Sequence, residues 1–153
     1  MTPTQFAPSH PVPQSPLPDT SKVKLYTINA ITAATFLGGP LAAGILVRRN
    51  YLNIGMESEG QKAIVFGIVA TFLLFFGIFM IPDPIIDKIP NIVIPAIYTI
   101  AITFIVHKLQ GPLLAKHKED GNEFYSQWRA VGIGLLCCVI ILAVVLAPLF
   151  LFE

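Results

Sequence analysis

The stretch TFLGGPLAAGIL, residues 35–46, lies in the middle of the first long apolar segment of the chain. Its composition suits a membrane helix, except that Gly38, Gly39 and Pro40 follow one another. Proline has no backbone N–H to donate to the carbonyl four residues earlier, which here belongs to Phe36, and its ring clashes with that turn. The sequence therefore predicts a helix that is kinked or broken between Phe36 and Pro40.

The composition around this stretch is typical of a membrane protein. Only 12% of the residues are charged and 54% are hydrophobic, whereas about a quarter of the residues in a soluble domain are charged. Since roughly 20 apolar residues in a helix cross a hydrocarbon core of ~30 Å, four segments without Asp, Glu, Lys or Arg are long enough to cross: residues 25–47, 63–82, 89–107 and 130–152. They do not alternate between polar and apolar residues, so the predicted fold is all-α, an integral membrane bundle of four transmembrane helices.

The chain has two parts. Residues 1–24 contain six prolines among polar residues, a composition that favours polyproline II and cannot bury a core, so a disordered tail is predicted. Residues 25–152 form the four-span domain. Within it, Lys62-Ala63 with Gly67 and Arg129-Ala130 with Gly134 open the second and fourth spans in a similar way. Interpreted as a repeat, this predicts two helical hairpins in the same orientation; chance similarity is the alternative.

Basic residues predict the orientation. Seven lie in or beside the first and third loops, and three lie on the other side. The seven are Arg48, Arg49, Lys62, Lys108, Lys116, Lys118 and Arg129; the three are Lys22, Lys24 and Lys88. By the positive-inside rule, loops 48–62 and 108–129 face the cytoplasm and both termini are extracytoplasmic. The first span fits this rule less well, because it has basic residues on both flanks.

Small residues recur at spacings that suit close helix packing. Lipid tails are as apolar as leucine, so membrane helices associate through small residues that let backbones approach. Ala30, Ala34, Gly38 and Ala42 recur at every fourth position of the first span. Pairs in two other spans repeat the spacing, and the predicted helix-packing interface is completed by Ala63, Gly67, Ala130 and Gly134.

Polar residues accompany the break in the first span. The carbonyl of Phe36, freed by Pro40, needs a hydrogen-bond partner in a bilayer, and the nearest polar side chains of the same span are Asn29, Thr32 and Thr35. Two interpretations remain open: a structural kink, and a broken helix that lines a polar path at mid-membrane. The residues of that path would be Asn29, Thr32, Thr35, Gly39, Pro40, Thr99, Thr103 and His107.

The four spans contain no charged residue, and such residues usually mark proton relays and ion pathways. In size and helix count the chain resembles small four-span drug exporters. That family depends on a carboxylate in its first span, where this chain has Asn29 and threonines, so a proton-coupled antiporter is disfavoured.

Motifs for other chemistry are missing from the sequence. It has no G-x-S-x-G, H-E-x-x-H, C-x-x-C or phosphate-binding glycine loop. His117 could bind a metal with His107, Glu119 or Asp120, but zinc needs three or four ligands in fixed geometry, and a flexible loop favours a solvated segment instead. Cys137 and Cys138 are interpreted as packing residues in the last span. A net charge of +1 gives no support for nucleic-acid binding. We therefore expect no enzyme activity, no metal and no cofactor.

Two functions are compatible with these features. The first is a small multi-pass protein that acts through helix packing, as a homo-oligomer or as an accessory subunit of a larger membrane complex; its partners are the lipid bilayer and either itself or another membrane protein. The second is a small channel or transporter with an uncharged polar path at the broken first helix. The chain also resembles small bacterial membrane proteins in a general way, and the expected location is the bacterial cytoplasmic (inner) membrane.

Overall fold

The computed structural model describes residues 23–151, with the side chains of all of them except Asp83 and residues 148–151. Most of the predicted tail, residues 1–22, lies outside this part. The described chain is all-helical, as predicted, with one isolated β-bridge between Leu25 and Phe124. Its helices are α1 (Ile28–Asn53), α2 (Glu57–Phe79), α3 (Asp83–Ile86), α4 (Val93–Glu119) and α5 (Gln127–Leu151).

Four of these helices, α1, α2, α4 and α5, are long and apolar enough to cross a membrane. Their bounds differ from the uncharged segments most clearly in α4, which continues to Glu119 although the sequence predicts a loop from Lys108. The reason is tertiary packing. Gln110, Leu114 and His117 are buried and continue, at helical spacing, the buried stripe of the preceding turns.

The first helix is not straight. Gly39 has φ 67° and ψ −167°, which is not helical. Ile28 and Asn53, the ends of a straight helix of this length, would be separated by roughly 37 Å. Instead the backbone N–H of Tyr26 donates to Oδ1 of Asn50 at 2.7 Å, and Nδ2 of Asn53 donates to the carbonyl of Lys24 at 2.8 Å. The chain therefore reverses at Gly39, and α1 is a hairpin of a first half-helix (residues 28–38) and a second half-helix (residues 40–53).

This reversal corrects the predicted course of the first span. Residues 25–47 were expected to run from one side of the bundle to the other, but both ends of α1 lie at one end, which we call the loop end. The loop between α4 and α5 is there too, because the N–H of Tyr125 donates to the carbonyl of Leu25 at 2.9 Å. The opposite end, with α3 and the last turns of α5, is called the far end. The described N-terminal segment and the end of α5 thus lie at opposite ends.

The hairpin occupies the centre of the bundle. α2, α4 and α5 each pack closely on α1, whereas in the described part of the chain the Cα atoms of these three helices do not approach one another within 8 Å. The two helical hairpins that the repeat predicts are therefore not confirmed. The hydrophobic core is correspondingly made mostly of α1 side chains, with contributions from α4 and α5. Since the outer helices are held apart, clefts remain between them.

Candidate functional site

The tip of the hairpin consists of Gly38, Gly39 and Pro40, and the local geometry requires each of these three residues. A Cβ on Gly38 would collide with the carbonyl oxygen of Gly134 and lie 2.9 Å from the Cβ of Ala42. Gly39 has a positive φ with an extended ψ, a combination that is essentially restricted to glycine. Pro40 then starts the second half-helix, where its missing N–H costs nothing because the first N–H groups of a helix have no intrahelical acceptor. All three residues are buried.

The carbonyl of Phe36 is satisfied from another helix. The hydroxyl of Tyr98 in α4 donates to it at 3.1 Å. None of the three polar residues expected from the same span takes this role: Thr32 and Thr35 donate to the carbonyls one turn earlier, and Asn29 is exposed. The tip is thereby joined to α4 near the middle of the bundle.

The small residues of the predicted packing interface lie inside the chain. Gly134 of α5 faces Ala34 and Gly38 of the first half-helix, and a Cβ on Gly134 would lie 2.9 Å from the Cα of Ala34. Gly67 of α2 faces the second half-helix, and its Cβ would lie 2.9 Å from the Cα of Gly44. Ala30, Ala42 and Ala130 are buried in the same core, and Ala63 packs against it. Each half of the hairpin thus receives one glycine from a helix that starts at the loop end.

The residues of the predicted polar path are only partly brought together. The hydroxyls of Thr32 and Thr103 are 3.0 Å apart and join the first half-helix to α4. Thr99 is buried on the same face of α4, and its hydroxyl has no hydrogen-bond partner in the described structure. His107 and Asn29 are exposed. The buried part of the set is therefore a short series of hydroxyls along the contact between α1 and α4.

A cleft of about 380 Å³ lies on the far-end side of the tip. Gly38, Gly39 and Pro40 form its floor, and α2, α4 and α5 supply its walls. The lining is largely apolar, with four polar side chains, and none of the described lining residues is charged. The polar ones are Thr71, Asn91, Tyr98 and Cys138. The arrangement can hold a small uncharged molecule with a few hydrogen-bonding groups.

A buried polar cluster closes the loop end. Asn50 accepts from the N–H of Tyr26, and its Nδ2 lies 3.0 Å from both the carbonyl of Tyr26 and Oε1 of Gln110. Gln110 in turn donates to the carbonyl of Val47 at 3.2 Å. Asn50 and Gln110 are fully buried. The sequence analysis missed both residues, because each lies just beyond the end of an uncharged segment. Their helical spacing from the buried residues of α1 and α4 is the signal that could have identified them.

An exposed ion pair lies above this cluster. Nζ of Lys24 is 2.6 Å from Oε2 of Glu123. The hydrogen bond and the positive charge of Lys24 lower the pKa of the Glu123 carboxyl, and the same contact raises the pKa of Lys24. The rings of Tyr26 and Tyr125 stack beneath it with centroids 4.7 Å apart. The pair and the stacked rings hold the segment before α1 against the loop between α4 and α5.

Within residues 23–151, His, Cys, Asp and Glu side chains do not gather in groups of three that could hold a metal ion. Cys137 is buried in the core and Cys138 is exposed at the cleft. No family model matches the chain, and no curated protein or solved structure is significantly similar to it. The chemistry of the candidate site is therefore that of its own residues, a neutral cleft above a glycine-proline tip.

Proposed function

We propose that the protein is a non-enzymatic integral membrane protein. The outer faces of its long helices carry exposed large apolar side chains, among them Phe72 at 73% and Phe79 at 76% exposure. Apolar surface of this extent would favour aggregation in water, but it suits contact with lipid. Irregular backbone at membrane depth is tolerated where protein covers it or where it lines a cavity. The buried non-helical residue Gly39, below the cleft, meets both conditions.

We further propose that the protein binds small uncharged solutes at the hairpin tip and passes them across the membrane. The observation that carries this proposal is the cleft whose floor is the tip itself. Broken helices that meet at mid-membrane commonly form the binding sites of transport proteins. Because the described lining has no charge, the desolvation of an ion would not be compensated there, whereas a neutral molecule loses little. The second function predicted from the sequence is thus the one that the geometry favours.

The contact between α1 and α4 is closed at the loop end in this conformation. Asn50 and Gln110 bind each other and the chain around them, so a solute that moved from the tip along this contact would meet the buried cluster. The hydroxyls of Thr35 and Thr99 are buried between the tip and this cluster. Passage along this contact therefore requires the hairpin to move relative to α4, with these neutral groups available to the solute on the way.

Flux into liposomes tests this function. Purified protein is reconstituted, and the entry of glycerol and urea is followed by light scattering. Cys138→Trp places a large ring in the cleft, whereas Val139→Trp adds the same ring on the neighbouring outward position, which is 66% exposed. We expect flux from the parent and from Val139→Trp and its loss in Cys138→Trp. Parent flux equal to that of empty liposomes for both solutes would contradict the proposal.

A second candidate function, as a subunit of a membrane assembly, has its own support. The small-residue faces are occupied within the chain, but one side of the first half-helix is not covered. Asn29, Phe36 and Leu37 are exposed there, at positions that share one face. The neighbouring faces contact α5 through Ala34 and Gly38, and α4 through Thr32, so the uncovered face looks out between α4 and α5. A second copy or another membrane protein could pack in this gap.

This candidate is tested by native mass spectrometry in a mild detergent. Ala33→Phe alters the uncovered face of the first half-helix, and Ala101→Phe makes the same change on an exposed face of α4. We expect an assembly that Ala33→Phe dissociates and that Ala101→Phe leaves intact. A monomer in all three proteins, with no co-purified membrane protein, would exclude the subunit function.

A further inference from the structure

We infer that the chain crosses the bilayer three times, with its loop end in the cytoplasm, so that the cleft opens to the extracytoplasmic side. The helices that cross are α2, α4 and α5, while α1 enters and leaves on the cytoplasmic side. This topology follows from membrane insertion and does not require transport. The conclusion that a solute arrives from outside rests in addition on the proposed function.

The geometry of α1 indicates that both of its ends lie on the same side of the bilayer. A hairpin whose ends are joined by the hydrogen bonds between Tyr26 and Asn50 cannot place those ends on two sides of a bilayer. Each half-helix is also too short to cross: the 11 residues from 28 to 38 rise roughly 16 Å, about half of the ~30 Å hydrocarbon core. The tip at Gly39 therefore lies near mid-membrane.

The positions of the Lys and Arg residues indicate which side of the membrane the loop end faces. Of the Lys and Arg residues in the described part, Lys88 alone lies at the far end, where its neighbours include Asp83 and Asp87. The others lie at the loop end: Lys24, Arg48, Arg49, Lys62, Lys108, Lys116, Lys118 and Arg129. Because α1 turns back, Lys24 lies on the same side as Arg48 and Arg49. The basic residues on both flanks of the first apolar segment then agree with the positive-inside rule. The positive-inside rule then places the loop end in the cytoplasm.

The cleft has a defined direction within this topology. Its lining includes Asn91 just before α4, Ile94 and Pro95 in the first turn of α4, and Val145 in the far-end half of α5. The buried cluster of Asn50 and Gln110 lies on the opposite side of the tip. With the loop end in the cytoplasm, the cleft receives molecules from the extracytoplasmic side.

Labelling of single cysteines in intact cells tests the topology. The background carries Cys137→Ala and Cys138→Ala, and a membrane-impermeant maleimide is applied before and after permeabilisation. We expect Asp87→Cys to react in intact cells and Ser21→Cys to react only after permeabilisation. Reaction of both in intact cells would indicate four crossings and would overturn the inference. The reverse pattern, Ser21→Cys accessible and Asp87→Cys protected, would overturn the orientation.

Reporters at the two ends of the full chain give an independent readout. A green fluorescent protein fused before Met1 should be fluorescent, because this reporter matures in the cytoplasm, and alkaline phosphatase fused after Glu153 should be active outside. Both ends on one side would contradict three crossings. These readouts do not depend on flux, so an absence of transport with this labelling pattern would refute the transport function and leave the topology intact.

Discussion

Tyr26 and Asn50 are 24 residues apart along the chain and are joined by two hydrogen bonds, in which the Asn50 side chain pairs with both backbone groups of Tyr26. This one amide therefore closes the hairpin of α1. It also binds Gln110, so the closed hairpin is held on α4 at the same point. The fold of the bundle depends on this contact, because α1 is the helix on which the other long helices pack.

Asn50→Leu is expected to destabilise the protein by about 2–5 kcal/mol. The substitution leaves the N–H and carbonyl of Tyr26 and Oε1 of Gln110 without their Asn50 partner, and each unpaired buried group costs roughly 1–3 kcal/mol. Denaturation in detergent micelles, followed by circular dichroism, measures the loss. Asn53→Leu removes only an exposed hydrogen bond to Lys24 and is the matched control. Equal stability of the two variants would contradict the role of Asn50.

Glycine-to-alanine substitutions should have opposite effects at the tip and elsewhere. Gly39→Ala is expected to cost about 1–3 kcal/mol, because alanine at a positive φ with an extended ψ is strained. Gly38→Ala should also destabilise, since its Cβ would meet the Gly134 backbone. At Gly77 and Gly132 a Cβ meets no atom within 4 Å, so alanine there should add roughly 0.5–1 kcal/mol through helix propensity. The four unfolding free energies check this order.

Tyr98→Phe removes the donor to the Phe36 carbonyl beside the tip. We expect a loss of roughly 0.6–2 kcal/mol, since hydrogen bonds between membrane helices are worth about that much. Tyr125→Phe is a suitable control, because the ring stack with Tyr26 needs no hydroxyl. A Tyr98→Phe protein as stable as its parent would show that the carbonyl finds another donor.

The ion pair of Lys24 and Glu123 predicts a pH dependence. The pKa of Glu123 is lowered in the folded state, so its stabilising contribution is present above the ordinary carboxyl pKa and is lost as the pH falls through the lowered value. The pKa of Lys24 is raised, so its contribution is lost only at strongly alkaline pH. The melting temperatures of the parent and of Glu123→Gln should therefore differ slightly near neutral pH and converge in acid, at pH values below the ordinary carboxyl pKa. A difference that grows in acid would contradict this assignment.

The positions of the apolar helices could be predicted from the sequence because hydropathy and length determine what a bilayer can hold. The direction of the chain inside α1 could not be predicted in this way, since an uncharged segment of this length has the same hydropathy whether it crosses the bilayer or turns back. Two signals were present nonetheless. A glycine followed by a proline fits the end of one helix and the first position of the next better than a kink, and both flanks of the segment are basic, which suits two ends on one side.

The candidate site was predictable only in part for a related reason. Pro40 identified the carbonyl that needs a partner, but the donor, Tyr98, lies 62 residues away and is brought there by the packing of α4. The small residues Ala34, Gly38, Gly67 and Gly134 stood out by spacing, yet spacing does not tell whether the neighbouring helix belongs to the same chain. The structure supplies that neighbour in each case.

The distance between the two ends of α1 tests the central claim most directly. Spin labels at the exposed positions Asn29 and Leu52 in the full chain, reconstituted in lipid, report whether the helix turns back. A hairpin of neighbouring half-helices places the labels roughly 10–20 Å apart and broadens the spectrum of the doubly labelled protein relative to the two single labels. A sharp distance near ~34 Å, the length of a straight helix between these residues, would contradict the hairpin.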